Sequence, residues 1–389
     1  MKELFSLELK YIGFYFFVFT LALPLPLIIS SFAMGFLILN SIYLSKKSKF
    51  KFDIFILFSA LFFFIDVITL FLADNRGFEN NMMFSETKIT FLVLPLFFAN
   101  ISEDLYKIKN QLYFIFVLGV LTYVIYAWLF LIFNIIIFNV KINQYILIEL
   151  LQKELPGSYH HTYIGSYMVF SCVLLFFNLI ENNKSLNKRI IITYFFLFVS
   201  LVYIGSKLSI LLLILFSSMI LLFSNLSIKK SLSVISIFIF LMGLLIFSIK
   251  DYIIYRLVDQ SFAHRLLYFS KSWSIIKENL FFGIGSESIK KIFFPIGDNS
   301  VRLIPHNVFL RETLSNGIFG LVIISTIFII LIYRSIVFRD QKLLFFSLLI
   351  LSYCMIEDYI YLQRGVLFFI FFSSIMYYTT NYEKNQGVG

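Results

Sequence analysis

The chain is a succession of apolar stretches, most of them long enough to cross a bilayer, joined by short polar connections. A helical crossing needs roughly 17–25 apolar residues, and in lipid the backbone donors and acceptors must be paired within the segment itself. Such stretches lie at 6–23, 26–44, 52–72, 87–100, 111–138, 161–181, 189–204, 207–224, 231–250, 315–334, 341–358 and 364–380. They predict an all-α, polytopic integral membrane protein with about 12 transmembrane helices, forming a single transmembrane domain over 1–389. Composition agrees. Of 389 residues 60% are hydrophobic and 14% charged, and a mean hydropathy of +0.91 is more apolar than a soluble core of this length can hide. Pro24-Leu25-Pro26 punctuates the first pair of segments, Pro95 falls in the short fourth, and only Gly205-Ser206 parts the seventh from the eighth. Most of the 52 Phe and 23 Tyr are expected to face lipid or to anchor at its interfaces.

Orientation follows from the basic residues. Lys46, Lys47, Lys49 and Lys51, then Lys107 and Lys109, then Lys184, Lys188 and Arg189, then Lys229 and Lys230, then Arg334, Arg339 and Lys342 occupy alternate connections. These connections are therefore placed in the cytoplasm with both termini. The stretches 73–86, 139–160, 205–206, 251–314 and 357–363 fall on the opposite side, which puts a large outer loop between the ninth and tenth helices. The N-terminal apolar run lacks a convincing cleavage site and reads as a retained span. Cys172 and Cys354 sit inside apolar segments and suit neither a zinc site nor a disulfide. The net charge of +10 is scattered over short loops, which argues against a nucleic-acid partner; membrane lipids are the expected surroundings.

The long polar interruption is where chemistry is expected. Arg256, Arg265, Lys271, Lys277, Arg302, His306 and Arg311 gather there with few carboxylates among them. Within it, 271–282 places Trp273, Ile276, Leu280 and Phe281 near one helical face and predicts an interfacial helix stopped by Gly283-Ile284-Gly285; 144–155 is a fainter example. No Asp-x-Asp pair, phosphate-binding glycine loop or His-Glu-x-x-His occurs, and the outer acidic residues do not cluster at metal spacing, so no metal and no cofactor are expected. Cations and a histidine suit glycan transfer from a lipid diphosphate. Such a leaving group needs positive charge more than a general acid, arginine forks fit phosphate oxygens, and the incoming hydroxyl needs a base titrating near neutrality.

His306 is the candidate base. It follows Pro305 and opens a helix expected over 307–316, whose positive end would keep the ring neutral; the alternative is that Pro305-His306-Asn307 only starts a helix. Arg265 either binds diphosphate or touches lipid headgroups. Lys207 either snorkels or waits at the membrane boundary where a lipid diphosphate would lie. His160-His161-Thr162-Tyr163 opens the sixth segment, with neighbouring rings pointing about 100° apart, so a supporting role is expected rather than metal ligation. Glu357, Asp358 and Arg364 flank the last outer turn and either pair locally or order the cationic site.

These residues carry a resemblance. Arg265, Trp273, Gly283-Ile284-Gly285, Pro305-His306-Asn307, Leu310 and Gly317-Ile318-Phe319-Gly320 together look like the signature region of the O-antigen ligase and polymerase superfamily. Gly205-Ser206-Lys207 resembles the family's Ser-Arg at the start of a span, with lysine in place of arginine. His161-Thr162-Tyr163 and Glu357 followed by Gln363-Arg364-Gly365 and Phe368 resemble two further family segments, so the likeness spans 160–380. It implies an inner-membrane glycosyltransferase, metal-independent and inverting. The donor would be an undecaprenyl-diphosphate-linked glycan, moved en bloc to a periplasmic acceptor such as lipid A-core. The 251–314 loop would then be the periplasmic catalytic loop. Carried over by position, His306 and Arg265 would be catalytic, Lys207, Arg265 and Arg302 would bind the donor diphosphate, and Asn307, His161, Tyr163, Glu357 and Arg364 would support them. A repeat-unit polymerase, whose acceptor is a second lipid-linked glycan, has the same catalytic needs. A non-catalytic transporter of lipid-linked glycan is the alternative of another class, disfavoured because the charges gather in one outer loop rather than at mid-membrane.

Overall fold

The computed structural model describes residues 8–45, 52–72, 78–138, 150–157, 160–181, 188–204, 206–223, 243, 261–293 and 306–385. Among them the regular structure is entirely helical. The helices are α1 (Ile12–Leu21), α2 (Leu27–Ser45), α3 (Ile54–Leu72), α4 (Phe78–Asn100), α5 (Ser102–Phe138), α6 (His161–Glu181), α7 (Lys188–Ile204), α8 (Lys207–Phe223), α9 (Ser261–Glu278), α10 (Ser286–Phe293), α11 (Val308–Val337), α12 (Gln341–Ile356) and α13 (Gln363–Asn385). Every expected apolar segment except 231–250, of which only residue 243 is described, falls on one of these helices. Ile28–Ser45, Ser102–Ile137, His161–Leu179 and Val308–Val337 are long and apolar enough to cross a membrane, and shorter apolar helices accompany them. The all-helical build and these apolar spans are consistent with a membrane protein. Pro24-Leu25-Pro26 does separate α1 from α2, whereas Pro95 is accommodated inside α4.

The chain divides into two compact units, Met1–Leu37 with Asn110–Asp259 and Ile38–Lys109 with Gln260–Gly389. In the first, α6 packs on α7 and α8. Gly165 of α6 lies so close to Ser206 and Ser209 that a Cβ there would strike both hydroxyls. Ser206 and Ser209 are themselves hydrogen-bonded and buried. This contact places the first turns of α6 and α8 at the same end of the unit, with α7 returning between them. Trp128 of α5 donates its indole N–H to Ser200 of α7 at 2.8 Å. The fainter segment expected at 144–155 is described only from Leu150 to Glu154, as one wide helical turn.

In the second unit α13 is the central element. Every residue from 365 to 380 is buried, as expected of a helix apolar on all sides that is enclosed by others. Its rings meet rings from the surrounding helices: Phe369 packs against Phe91 and stacks on Phe328, Phe371 meets Phe98, and Tyr377 stacks on Phe55. The expectation that most aromatic side chains face lipid is therefore corrected here. Helices that gain little from hydrophobic burial against one another in lipid still gain from close packing, and flat rings fill that space.

Among its described residues, the stretch expected as the outer loop is helical rather than irregular. It contains α9, α10 and the start of α11, and the interfacial helix expected over 271–282 runs instead from Ser261 to Glu278. Tyr268, Ser272 and Ile276, spaced four residues apart, are the buried side of α9; Tyr268 and Ile276 join Ile289, Phe293 and Leu314 in one apolar cluster. Ile276 thus parts from Trp273, Leu280 and Phe281, which stay exposed. The helix ends before Leu280, and its packing face is the neighbouring one.

Helix α11 is broken at Gly317, whose φ of 65° and ψ of −156° belong to a region that only glycine occupies readily. The break frees backbone groups that need partners, and the turn after α9 supplies them. The Ile284 N–H donates to Leu314 O at 2.7 Å, Gly285 N–H to Ser315 O at 3.0 Å, and Ile318 N–H to Leu280 O at 2.8 Å. Gly283 (φ 67°) and Gly285 (φ 77°) shape that turn. The Gly-x-Gly and Gly-x-x-Gly elements read from the sequence are thus two sides of one backbone crossing. A Cβ at Gly317 would collide with the Phe281 carbonyl. Gly317→Ala should therefore cost at least about 2 kcal/mol from forbidden backbone and overpacking, read as a lower thermal unfolding midpoint in detergent, while Gly35→Ala, where a Cβ meets nothing within 4 Å, should leave the midpoint unchanged.

Candidate functional site

The segment of α11 ahead of its break carries the chemistry-bearing residues to one place. Asn307 caps the helix, its side-chain oxygen accepting from Leu310 N–H at 2.9 Å, and its amide nitrogen donates to Met355 O at 3.0 Å. His306 precedes the cap, and its Nδ1 lies 3.0 Å from a Glu357 carboxylate oxygen. One turn further on, Arg311 donates to Asp358 at 2.7 Å and stacks its guanidinium 3.7 Å from the centre of the Tyr361 ring. Tyr361 in turn donates its hydroxyl to Glu312 at 2.5 Å. The short stretch from Met355 to Tyr361 therefore grips the first turns of α11 residue by residue.

This pairing fixes what each group can do. A carboxylate only accepts hydrogen bonds, so in the neutral ring the His306–Glu357 contact places the proton on Nδ1 and leaves Nε2 with its lone pair. The His306 side chain is 39% exposed and Glu357 18%, so the ring is reachable while its partner is largely covered. The positive end of α11 is accordingly not the ring's only electrostatic neighbour, as the sequence argument had assumed. Nor do the loop cations lack carboxylates. Arg311 is spent on Asp358, and both acids come from outside the loop, beyond the end of α12. Burial raises the Asp358 carboxyl to about 6, against the pull of the Arg311 charge. Lys271 donates to Ile292 O at 3.1 Å, and Lys277 lies over the Trp273 ring.

The remaining sequence candidates distribute as follows. Arg265 lies in the first turns of α9. Arg302, like Arg256 and Pro305, lies outside the described residues. Arg364 is the second residue of α13 and half-buried. In the other unit, Lys207 is the exposed first residue of α8, and His161 is the half-buried first residue of α6. The crossing at Gly165 puts these two at the same end of that unit. His161 lies against the His160 ring, with centroids 4.2 Å apart, and lines a cavity with room for about one water. Tyr163 is buried.

Sequence reasoning missed the charges behind this face. Lys88 of α4, fully buried, reaches Asp66 of α3 at 2.8 Å and Glu312 of α11 at 2.6 Å. The signal was present as an aspartate in the middle of an apolar segment, since an ionisable residue at such a depth is rarely filler.

Residues 192–325 match the family model described as O-antigen ligase. The match supports the O-antigen ligase and polymerase superfamily, whose members are glycosyltransferase-like enzymes of ligase or polymerase type acting on lipid-linked glycans. No curated protein matches the chain.

The Asp358 carboxyl yields a pH prediction. Its folded value near 6 lies above the ordinary carboxylate value, so the folded protein holds this proton where the unfolded chain has lost it. The associated stability is complete below about pH 4 and is lost as pH rises through 6. Thermal unfolding midpoints taken from pH 4 to 7 should fall more steeply in the wild type than in Asp358→Asn; parallel curves would contradict the assignment.

Proposed function

We propose that this chain belongs to the O-antigen ligase and polymerase superfamily and is an inverting, metal-independent glycosyltransferase. It moves a glycan en bloc from undecaprenyl diphosphate to lipid A-core at the periplasmic face of the inner membrane. About 12 helices cross the bilayer, both termini lie in the cytoplasm, and the catalytic loop is 251–314. The observation that carries this reading is the His306–Glu357 pair at 3.0 Å. It presents a ring with one nitrogen committed to a carboxylate and the other free to accept a proton, at the mouth of a helix whose position is fixed on several sides.

The reaction needs little else from the protein. The acceptor hydroxyl attacks the anomeric carbon from the face opposite the diphosphate. The new C–O bond forms as the bond to the phosphate oxygen breaks. His306 Nε2 takes the hydroxyl proton, and Glu357 steadies the charge that the ring then carries, as a carboxylate does for a histidine base generally. The bonding electrons leave on undecaprenyl diphosphate, whose charge requires cations. The resemblance assigns Arg265, Lys207 and Arg302 to that diphosphate. Asn307 holds the start of α11, and His161, Tyr163 and Arg364 are supporting residues. A repeat-unit polymerase would use the same residues with a second lipid-linked glycan as acceptor.

His306→Ala should lower transfer by about 100-fold or more, with donor accumulating on the outer face. Glu357→Gln, which cannot steady the imidazolium, should fall between that variant and the wild type. Transfer at the wild-type rate by His306→Ala, measured with purified protein, lipid-linked donor and lipid A-core, would overturn the assignment of the base.

A further inference from the structure

Lys88 has no part in the reaction above, yet it is one of the most enclosed side chains of its unit, with no exposed surface. Its Nζ sits 2.8 Å from Asp66 Oδ2 and 2.6 Å from Glu312 Oε1, over the ring of Phe62 at 4.0 Å. Asn316 donates to Asp66 Oδ1 at 2.7 Å and to Glu312 Oε2 at 2.8 Å, while its own oxygen accepts from Thr69 at 2.8 Å. Tyr361 donates to Glu312 Oε1. All four carboxylate oxygens are thus engaged by a donor or by the ammonium. Three charges enclosed by apolar helices forfeit their hydration, and apolar side chains of similar volume would pack there at less cost. What the charges add is a directional set of contacts.

Those contacts converge on one short piece of helix. Glu312 and Asn316 both belong to the segment of α11 ahead of Gly317, and the break at Gly317 prevents the membrane-crossing part of α11 from dictating where that segment points. Its direction has to come from its sides. The turn at 280–285 holds its lower end, the stretch from Met355 to Tyr361 holds its upper end, and Lys88 ties its inner face to α3 and α4. Gly320 belongs to the same design, because a Cβ there would press on the Asn316 side chain and the Glu312 carbonyl. His306 stands at the free end of this segment, less than two turns from Glu312.

We propose that Lys88 is a positioning residue for the transfer reaction. By joining Asp66 to Glu312 it fixes the leading segment of α11, and so holds His306 against Glu357. The catalytic part of this proposal rests on the reading of His306 as the base. The positional part does not.

The test uses the full chain with Cys172 and Cys354 replaced by alanine, so that paired cysteines can be read without interference. Lys88→Met should lower kcat about 100-fold, the scale expected when a reacting group is misplaced by about an ångström, with the donor KM within about threefold of wild type. Adding Glu312→Gln removes one of the two carboxylates that Lys88→Met leaves unmatched, and with it their mutual repulsion, and should recover about tenfold. In a separate His306→Cys/Glu357→Cys protein, a short bifunctional thiol reagent should cross-link the pair, and adding Lys88→Met should abolish the link at equal folded yield. Wild-type kcat, or an undiminished cross-link, in Lys88→Met overturns the proposal. Should Lys88→Met fail to accumulate, Tyr361→Phe replaces it, losing only the hydroxyl. It should lower kcat about fivefold and weaken the cross-link, and no change in either would make Lys88 a folding residue only. If the unmodified chain transfers no glycan, the reading of the reaction fails, and the cross-link alone decides the position of the segment.

Discussion

A charge shut away from water must be matched, and in the Ile38–Lys109 and Gln260–Gly389 unit the matching settles where one piece of helix lies. Lys88 between Asp66 and Glu312, Arg311 on Asp358 and His306 on Glu357 are three polar contacts along the first turns of α11. Two take their partners from the stretch after α12, and the third ties the segment to α3 and α4. A single apolar contact would tolerate rotation of that segment; three directional ones do not. The glycine break at 317 gives these contacts their importance, because it separates the segment from the stiff span below and leaves its orientation to them.

Much of the helical build was legible because the apolar segments of a membrane protein are written with little ambiguity. The ends of α6, α7 and α8 fall within a residue or so of the expected segments, since Gly205-Ser206 and the charged connections mark them. The sequence also carried α9, through the period of its apolar residues, but misjudged its limits and its buried side. That side is set by what it packs against, Leu314 of α11 and Phe293 of α10, and no local period reports on a neighbour. The aromatic residues of α13 illustrate the same gap. Their abundance suggested a lipid-facing surface, and the distinction between lipid and core depends on how many helices surround a helix.

The site was legible in its residue types and not in its pairings. His306, Asn307 and Glu357 were each singled out, but a separation of 51 residues between His306 and Glu357 gives no hint that they touch. Arg311 was counted among the cations available to an anion, and its burial beside Asp358 withdraws it. Lys88 was not singled out. Its meaning comes only from Asp66 and Glu312, whose distances along the chain conceal that α3, α4 and α11 meet. Glycine signatures that look like punctuation in the sequence turn out to mark the crossing of two backbones at 280–285 and 314–318.

The account stands on His306 meeting the substrates as a proton acceptor beside the departing diphosphate. A cryo-electron microscopy structure of the full chain in a lipid nanodisc, loaded with an undecaprenyl-diphosphate-linked glycan and lipid A-core, examines this most directly. The account predicts an acceptor hydroxyl within hydrogen-bond reach, about 3 Å, of His306 Nε2, with Glu357 still on Nδ1 and the anomeric carbon next to that hydroxyl. A diphosphate and acceptor bound away from His306, or a His306 ring turned from Glu357 toward the cytoplasmic side, would contradict it.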